Sequence, residues 1–151
     1  MKTSCLDIEC AVAEYFSPRV NLIVPNISWG MGIHECDLLV VTKAGYCYEV
    51  EIKVSKSDLI ADLNKCHHHK SKLVKKLYFA MPQNLDNCLD FVPANAGVLL
   101  VCDRNKCKCV RDPLIMDAPK ITEAQRFQIA RLGTMRIFTL KEKIRKMVNH
   151  D

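Results

Sequence analysis

The sequence predicts a single domain built on a mixed α/β sheet with helices packed against it. Residues 46–53 (Y-C-Y-E-V-E-I-K) alternate with the period of two that is typical of a strand. Residues 97–102 form an apolar run of the length of a buried strand, and residues 5–16 repeat apolar side chains at helical spacing. With 151 residues, the chain is long enough to bury one hydrophobic core.

The first predicted element is a helix over residues 5–16. Apolar residues recur at i, i+4, i+7 and i+8 from Ile8, and the Ser-Pro pair at 17–18 ends the helix. At about 100° per residue, Glu9 flanks this apolar stripe, whereas Glu14 points away from it. Glu9 is therefore the acid of this helix that we expect to face inward.

Three strands are predicted next, over residues 20–27, 35–41 and 46–53. Pro25 cannot donate to a sheet ladder, so the first of these strands is expected at an edge or a bulge. The other two strands are joined by a short Lys-Ala-Gly turn, and both carry acids among apolar residues. A buried charge costs several kcal/mol unless it is paired or binds a cation, so this strand pair is the candidate site.

The rest of the chain completes the sheet and adds helices. A helix from Ser55 to about Cys66 begins with a capping-box-like Ser55 and Asp58. Its apolar residues are Leu59, Ile60 and Leu63, and the charged residues on its other side are Asp58, Asp62 and Lys65. We expect strands at 74–81, 97–102 and 107–111, with loop structure over 84–95. The C-terminal part reads as a helix over 122–132, a short strand or loop over 136–140 and a helix over 141–149. The core thus covers about residues 5–111, with a helical extension over about 120–151.

Composition is ordinary for a soluble globular protein, with 49% hydrophobic and 26% charged residues. No apolar run approaches the roughly 20 residues of a membrane helix, so no membrane partner is expected. The N-terminus lacks the apolar region of an export signal, which leaves the cytoplasm as the expected location.

The nine cysteines are an odd number and mostly stand alone, which favours reduced thiols that serve as small core residues. A zinc-stabilised interaction protein is the alternative, with Cys102, Cys107, Cys109 and the histidines at 67–69 as ligands. Their spacing fits no standard zinc motif.

Basic residues are clustered, although the net charge is only +5. One group follows the acidic strands and another closes the chain, which is the footprint of an anionic partner, most often nucleic acid. Two solvated helix faces are the alternative. The first group is Lys53, Lys56, Lys65, Lys70, Lys72, Lys75 and Lys76, and the second is Lys141, Lys143, Arg145 and Lys146.

The acids and the lysine of the strand pair suit metal-assisted phosphodiester hydrolysis. Asp37 and Glu51 on neighbouring strands offer hard oxygen ligands for Mg²⁺ or Mn²⁺, and the Ile52 carbonyl could add another. Lys53 shares a face with Glu51 and could orient the attacking water or stabilise phosphorane charge. Glu9 could serve as an outer ligand. The alternative is a solvent-facing strand whose charges form cross-strand ion pairs.

These residues also carry a family resemblance. The αβββαβ order, Asp37 and the Glu51-Ile52-Lys53 triplet resemble the PD-(D/E)XK nuclease superfamily, whose core is restriction-endonuclease-like. The string E-V-E-I-K-V-S-K-S-D-L-I-A-D-L, followed by L-Y-F-A-M-P and V-P-A-N-A-G-V-L-L-V, is similar to the MmcB-like group, described as DNA-repair endonucleases. It also resembles small phage proteins of the same type. The resemblance spans about residues 9–111.

The resemblance implies a Mg²⁺- or Mn²⁺-dependent DNA endonuclease in repair, recombination or phage DNA processing, leaving a 5′-phosphate. Asp37 and Glu51 would be metal ligands, Lys53 the catalytic lysine and Glu9 the helix acid. It places the protein in the cytoplasm of a bacterium or of a phage-infected cell, as a possible homodimer. Cys36 stands where the superfamily name has Pro, and some members bind nucleic acid without cutting it. The alternative is therefore a non-cleaving nucleic-acid-binding module on the same fold.

Further residues around the strand pair have two interpretations each. Trp29 and Asn26 could touch a base, whereas Glu35 and Glu49 could be rim ligands or ion-pair partners. Ser55 and Asp58 are expected to cap the helix, with Asp62 paired to Lys65 or Lys56. The residues predicted to contact DNA phosphates are Lys56, Lys65, His68, His69 and Lys70.

Overall fold

Within the residues that the computed structural model describes (3–27, 35–64, 71–102 and 106–149), six strands form one mixed sheet. Their order in the sheet is their order in the chain. The strands are β1 (Leu22–Ile27), β2 (Cys36–Val41), β3 (Cys47–Ile52), β4 (Val74–Pro82), β5 (Gly97–Cys102) and β6 (Lys106–Arg111). This architecture, a mixed sheet with helices packed on it, confirms the predicted fold class.

Strand direction changes in the middle of the sheet. β1–β2 and β2–β3 are antiparallel, β3–β4 and β4–β5 are parallel, and β5–β6 is an antiparallel hairpin. A parallel pair needs a crossover connection, and helix α2 (Lys56–Asp62) lies in the connection from β3 to β4. Pro25 lies in β1, at an edge of the sheet, as predicted.

Helices cover both faces of the sheet. Helix α1 (Cys5–Tyr15) begins with a capping box between Ser4 and Asp7 and buries Ile8 and Val12 on one face. The other face packs against α2, a 3-10 helical segment (Gln83–Phe91) and helix α3 (Glu123–Val148). β3 is therefore enclosed on both sides, which determines the environment of its charged residues.

The C-terminal region differs from the prediction, because α3 is one helix of 26 residues rather than two helices separated by a strand or loop. Thr122 and Gln125 form the predicted capping box. The β-branched and aromatic residues at 136–140 favour a strand, but that preference spans only about 1 kcal/mol per residue. The helical backbone continues through them, and the Thr139 hydroxyl donates to the Met135 carbonyl (3.0 Å). Local preference was thus overridden by helix continuity.

Two smaller boundaries also differ. The region 84–95, predicted as a loop, contains the 3-10 segment, which buries Leu85 and Cys88. Helix α2 ends at Asp62, earlier than predicted, and residues 65–66 lie outside the described part of the chain. No helix among the described residues has the length and apolar character needed to cross a membrane.

Candidate functional site

The charged residues at the end of β3 are buried. Glu49 is 0% exposed, Glu51 2% and Lys53 6%. The alternative of a polar strand face in contact with solvent is therefore wrong, and Glu49 is an interior residue rather than a rim residue. Buried charges are tolerated only when other groups compensate them, so the surroundings of each charge decide what the strand can do.

Lys53 joins two carboxylates from different elements. Its Nζ lies 3.0 Å from Glu51 Oε2 on β3 and 2.8 Å from Asp62 Oδ1 on α2. It also lies 5.7 Å from the centre of the Phe79 ring. Burial by itself lowers the pKa of Lys53, but the two carboxylates outweigh burial and raise that pKa above the ordinary lysine range. Lys53 is accordingly a buried ammonium held in one place.

Asp62 is the site residue that the sequence interpretation placed wrongly. The sequence predicts Asp62 on the charged outer side of α2, with Lys65 or Lys56 as partner. In the structure Asp62 is only 5% exposed, while Ile60 is 41% and Leu63 46% exposed. The helix therefore turns Asp62 inward with Leu59, three residues earlier, which is 0% exposed. The available signal was this i, i+3 spacing from Leu59.

Asp37 fastens β2 to the Glu51–Lys53 segment. Its Oδ2 accepts a hydrogen bond of 2.7 Å from the backbone N–H of Ile52. The β2–β3 ladder ends at the Leu38–Val50 pair, although β3 continues to Ile52. The Asp37 side chain therefore accepts from the Ile52 N–H at the point where the two strands separate. If the register is extended by one residue beyond Leu38–Val50, Asp37 lies opposite Glu51.

The far side of this segment is held by β4. Ile52 pairs with Ala80, and the Lys53 N–H donates to the Ala80 carbonyl at 2.9 Å. With Asp37 on one side and β4 on the other, the backbone of residues 51–53 has little freedom to move. Fixed backbone positions of this kind hold catalytic or ligating side chains in a defined geometry.

Glu9 approaches Asp37 from α1, on the face of the sheet opposite α2. Its side chain is half-buried, whereas Glu14 is exposed, as the helical spacing predicts. Burial raises the pKa of Glu9, and the nearby negative charge of Asp37 raises it further. The thiol of Cys5, one turn earlier, likewise has a raised pKa because of burial and the charges of Asp37 and Glu9. The point where β2 and β3 separate, here called the fork, is thus a region of negative potential on the α1 side.

The donor set at the fork fits a hard divalent cation. Within the described ranges no group of three or more His, Cys, Asp or Glu residues comes together as a metal cluster. Mg²⁺ needs fewer protein ligands, because it retains waters and is often bound by one or two carboxylates. Asp37 and Glu51, with the Ile52 carbonyl, offer oxygen atoms only, which matches this chemistry.

The residues predicted to bind nucleic acid are described only in part. Lys56 is exposed, and its Nζ lies 5.0 Å from the centre of the Phe91 ring. Ser55 accepts from the Asp58 N–H, and Asp58 accepts from the Val54 N–H, so both cap α2 as expected. Asn26 is exposed, with a φ of +52°. The predictions for Trp29, Lys65, His68, His69 and Lys70 fall outside the described residues.

The thiols of the β5–β6 hairpin lie away from this site. Cys107 and Cys109 are partly buried against the core cluster below α1. Burial raises the pKa of Cys107 to about 12, so this residue is a neutral thiol. The Cys109 thiol contacts the Arg111 carbonyl at 3.3 Å. These contacts are those of small core residues, and the histidines at 67–69 lie outside the described part of the chain.

Comparison with known proteins supports the fold. No protein-family model matches the chain, and no curated protein matches it. Among solved structures, the chain is similar to the SPO1766 protein of unknown function from Silicibacter pomeroyi, with a TM-score of 0.64 and 17% sequence identity. The match covers 95% of this chain and 92% of that one. At this identity, the likeness concerns the arrangement of the whole chain and not its chemistry.

Proposed function

We propose that the chain is a metal-dependent DNA endonuclease that hydrolyses phosphodiester bonds. The observation that supports this most directly is the Asp37 hydrogen bond to the Ile52 N–H, 2.7 Å long. It ties the acid of β2 to the residue between Glu51 and Lys53. Two carboxylates and an ammonium on a fixed backbone are the side chains that such a reaction requires.

In this proposal Asp37 and Glu51 hold a Mg²⁺ or Mn²⁺ ion together with the Ile52 carbonyl. When bound, the ion supplies Lewis-acid polarisation of the scissile phosphate. Glu9, whose pKa is raised by burial and by the charge of Asp37, would accept a hydrogen bond from water bound near Asp37.

Lys53 supplies positive charge where the phosphate becomes more negative. Its raised pKa keeps it protonated at neutral pH. Its contact with Asp62 on α2 fixes the orientation of the lysine side chain. A prepositioned ammonium is effective in a site that excludes water, because it does not have to reorganise during the reaction. Asp62 is in this view a positioning residue for Lys53.

DNA is the proposed substrate because basic residues follow the acidic strands along the chain. The chain carries a net charge of +5, and exposed Lys56 stands at the start of α2, directly after the Glu51–Lys53 segment. Cationic side chains beside a phosphodiesterase site neutralise backbone phosphates and weaken in effect as salt rises. The repair, recombination or phage-processing role implied by the family resemblance belongs to the same proposal.

A non-cleaving nucleic-acid-binding module is the second candidate. The observation that favours it is that Lys53 lies 3.0 Å from Glu51 Oε2, so the lysine already engages an oxygen that a cation would use. If this ion pair persists with Mg²⁺ present, the segment is a structural ion pair rather than a catalytic one.

Cleavage assays on supercoiled, linear, branched and single-stranded DNA with Mg²⁺ or Mn²⁺ test the proposal. We expect cleavage that chelation abolishes, and a rate at least about 100-fold lower for Lys53→Ala and for Asp37→Asn. Lys43→Ala is the matched control, because Lys43 is an exposed lysine in the turn at the opposite end of these strands.

Calorimetry with Mn²⁺ separates the two candidates. The endonuclease proposal requires Mn²⁺ binding that Asp37→Asn weakens. DNA binding by wild type without Mn²⁺ binding or cleavage would establish the non-cleaving module. Cleavage that Lys53→Ala retains in full would show a contaminating nuclease and remove the site assignment.

A further inference from the structure

The C-terminal half of α3 carries an apolar stripe that the described residues leave uncovered. Ile137 is 55% exposed, Leu140 59%, Ile144 51% and Met147 71%. Their spacing of three, four and three residues is that of the a and d positions of a heptad repeat. Contiguous exposed apolar surface of this kind marks an interaction site in a soluble domain.

The same side of α3 is the packed side in its N-terminal half. Ile129 is 0% exposed and belongs to the core cluster beneath β1 and β2. A Cβ on Gly133 would lie 3.3 Å from Val24, so the helix runs close to β1 there. At 100° per residue, the four stripe residues lie within about 80° of Ile129. The stripe therefore lies on the same side of α3 as Ile129, in the part of the helix that extends past the end of β1 at Ile27.

We propose that this stripe pairs with the same stripe of a second copy of the chain, as a short two-stranded helix pair. Ile at both a positions with Leu at a d position is the combination that favours parallel dimers. The stripe and the adjacent Val148, 67% exposed, offer roughly 500 Å² per helix, so a pair buries at most about 1,000 Å², the lower limit of a specific interface.

The charges beside the stripe are basic, and they define the salt dependence of the pairing. Lys141 and Lys143 flank the stripe at the e and g positions. Arg136, the other g residue, donates to the Asn26 carbonyl at 2.7 Å and is thereby drawn to its own β1. Arg145 and Lys146 lie off the stripe and pair with Glu142. Screening of Lys141 and Lys143 by salt strengthens pairing between two copies, whereas it weakens binding to DNA, an anionic membrane or an acidic protein.

The pairing is independent of the chemistry at Glu51 and Lys53, and sedimentation of the full chain at low and high salt tests it. We expect wild type to sediment as twice 17.2 kDa at micromolar concentration, with a lower dimer Kd at high salt. Ile144→Lys should raise the dimer Kd by at least about 100-fold, since each dimer carries the change twice.

Phe138→Lys is the matched control, because Phe138 is equally apolar and 64% exposed but lies about 180° from Ile129 on the helix. We expect this variant to remain dimeric. Circular dichroism and the urea midpoint verify that both variants are folded. A monomeric wild type at both salt concentrations, or equal loss of the dimer in both variants, would overturn the proposal. Binding of the monomeric wild type to DNA or to anionic vesicles, reduced by Lys141→Gln, would assign the stripe to an anionic partner instead.

Discussion

The two faces of β3 are buried to the same degree but are stabilised by different interactions. Val50 and Ile52 point toward α1 and belong to an apolar core cluster. Glu49 and Glu51 alternate with them and are equally buried on the α2 side. Apolar burial is favourable without any partner, whereas a buried carboxylate is tolerated only with compensating groups. Packing alone would not select charges on one face, so that face is where function is expected.

Lys53→Met tests the charged face of β3, and we expect it to have the largest effect on the free energy of unfolding. Removing the ammonium leaves the Glu51 and Asp62 carboxylates buried without it, which should lower the free energy of unfolding by about 3–5 kcal/mol at pH 7. Urea unfolding measures this. The loss should shrink as the pH rises through the raised pKa of Lys53, where wild type also loses the ammonium.

The control for this variant neutralises the whole group. In the triple variant Glu51→Gln, Lys53→Met, Asp62→Asn, most of the lost stability should return, because none of these three positions then carries a buried charge. A triple variant as unstable as Lys53→Met would mean that shape rather than charge explains the loss.

Leu38→Ala tests the apolar face. Leu38 is 1% exposed and lies in the α1 cluster, so the truncation should cost about 2–5 kcal/mol through lost burial and a cavity. This cost should be the same at pH 5 and pH 8 when measured by urea unfolding. A strong pH dependence would show that the two faces of the sheet are coupled.

Ser55→Ala should have a smaller effect on the charged face. The Ser55 hydroxyl accepts from the Asp58 N–H at the start of α2, so its loss should cost about 1 kcal/mol. Because α2 carries Asp62, hydrogen exchange should also report faster opening of α2. Ser57→Ala, two residues later, is the matched control: it removes the hydroxyl that lies 2.9 Å from the Ser55 hydroxyl but leaves the Ser55 bond to the Asp58 N–H, so it should cost less than Ser55→Ala.

Glu9→Gln should have the smallest effect and the opposite sign. The pKa of Glu9 is raised from 4.5 by burial and by Asp37, so ionisation of Glu9 opposes folding. The penalty is absent below the unfolded pKa and appears as the pH rises through the folded pKa. The variant should therefore melt at a higher temperature than wild type at pH 7 and at the same temperature below pH 4.5. A lower melting temperature at pH 7 would contradict the placement of Glu9 beside Asp37.

Much of the fold could be predicted because its signals are local. The alternation over residues 46–53 requires only the geometry of one strand, and the edge position of β1 follows from the missing N–H of Pro25. The C-terminal region was predicted wrongly, because residues 136–140 favour a strand locally. Packing of Ile129 and Gly133 against the sheet supports one continuous helix instead.

By itself the sequence determined that Glu51 and Lys53 point to the same side, since a spacing of two residues has this result in any extended segment. Only the tertiary structure decided that Asp62 meets Lys53 and that Asp37 binds the Ile52 N–H. Those contacts depend on how α2 crosses from β3 to β4 and on where the β2–β3 ladder ends. Crossover path and ladder length result from the packing of the whole chain, which no local pattern of residues encodes.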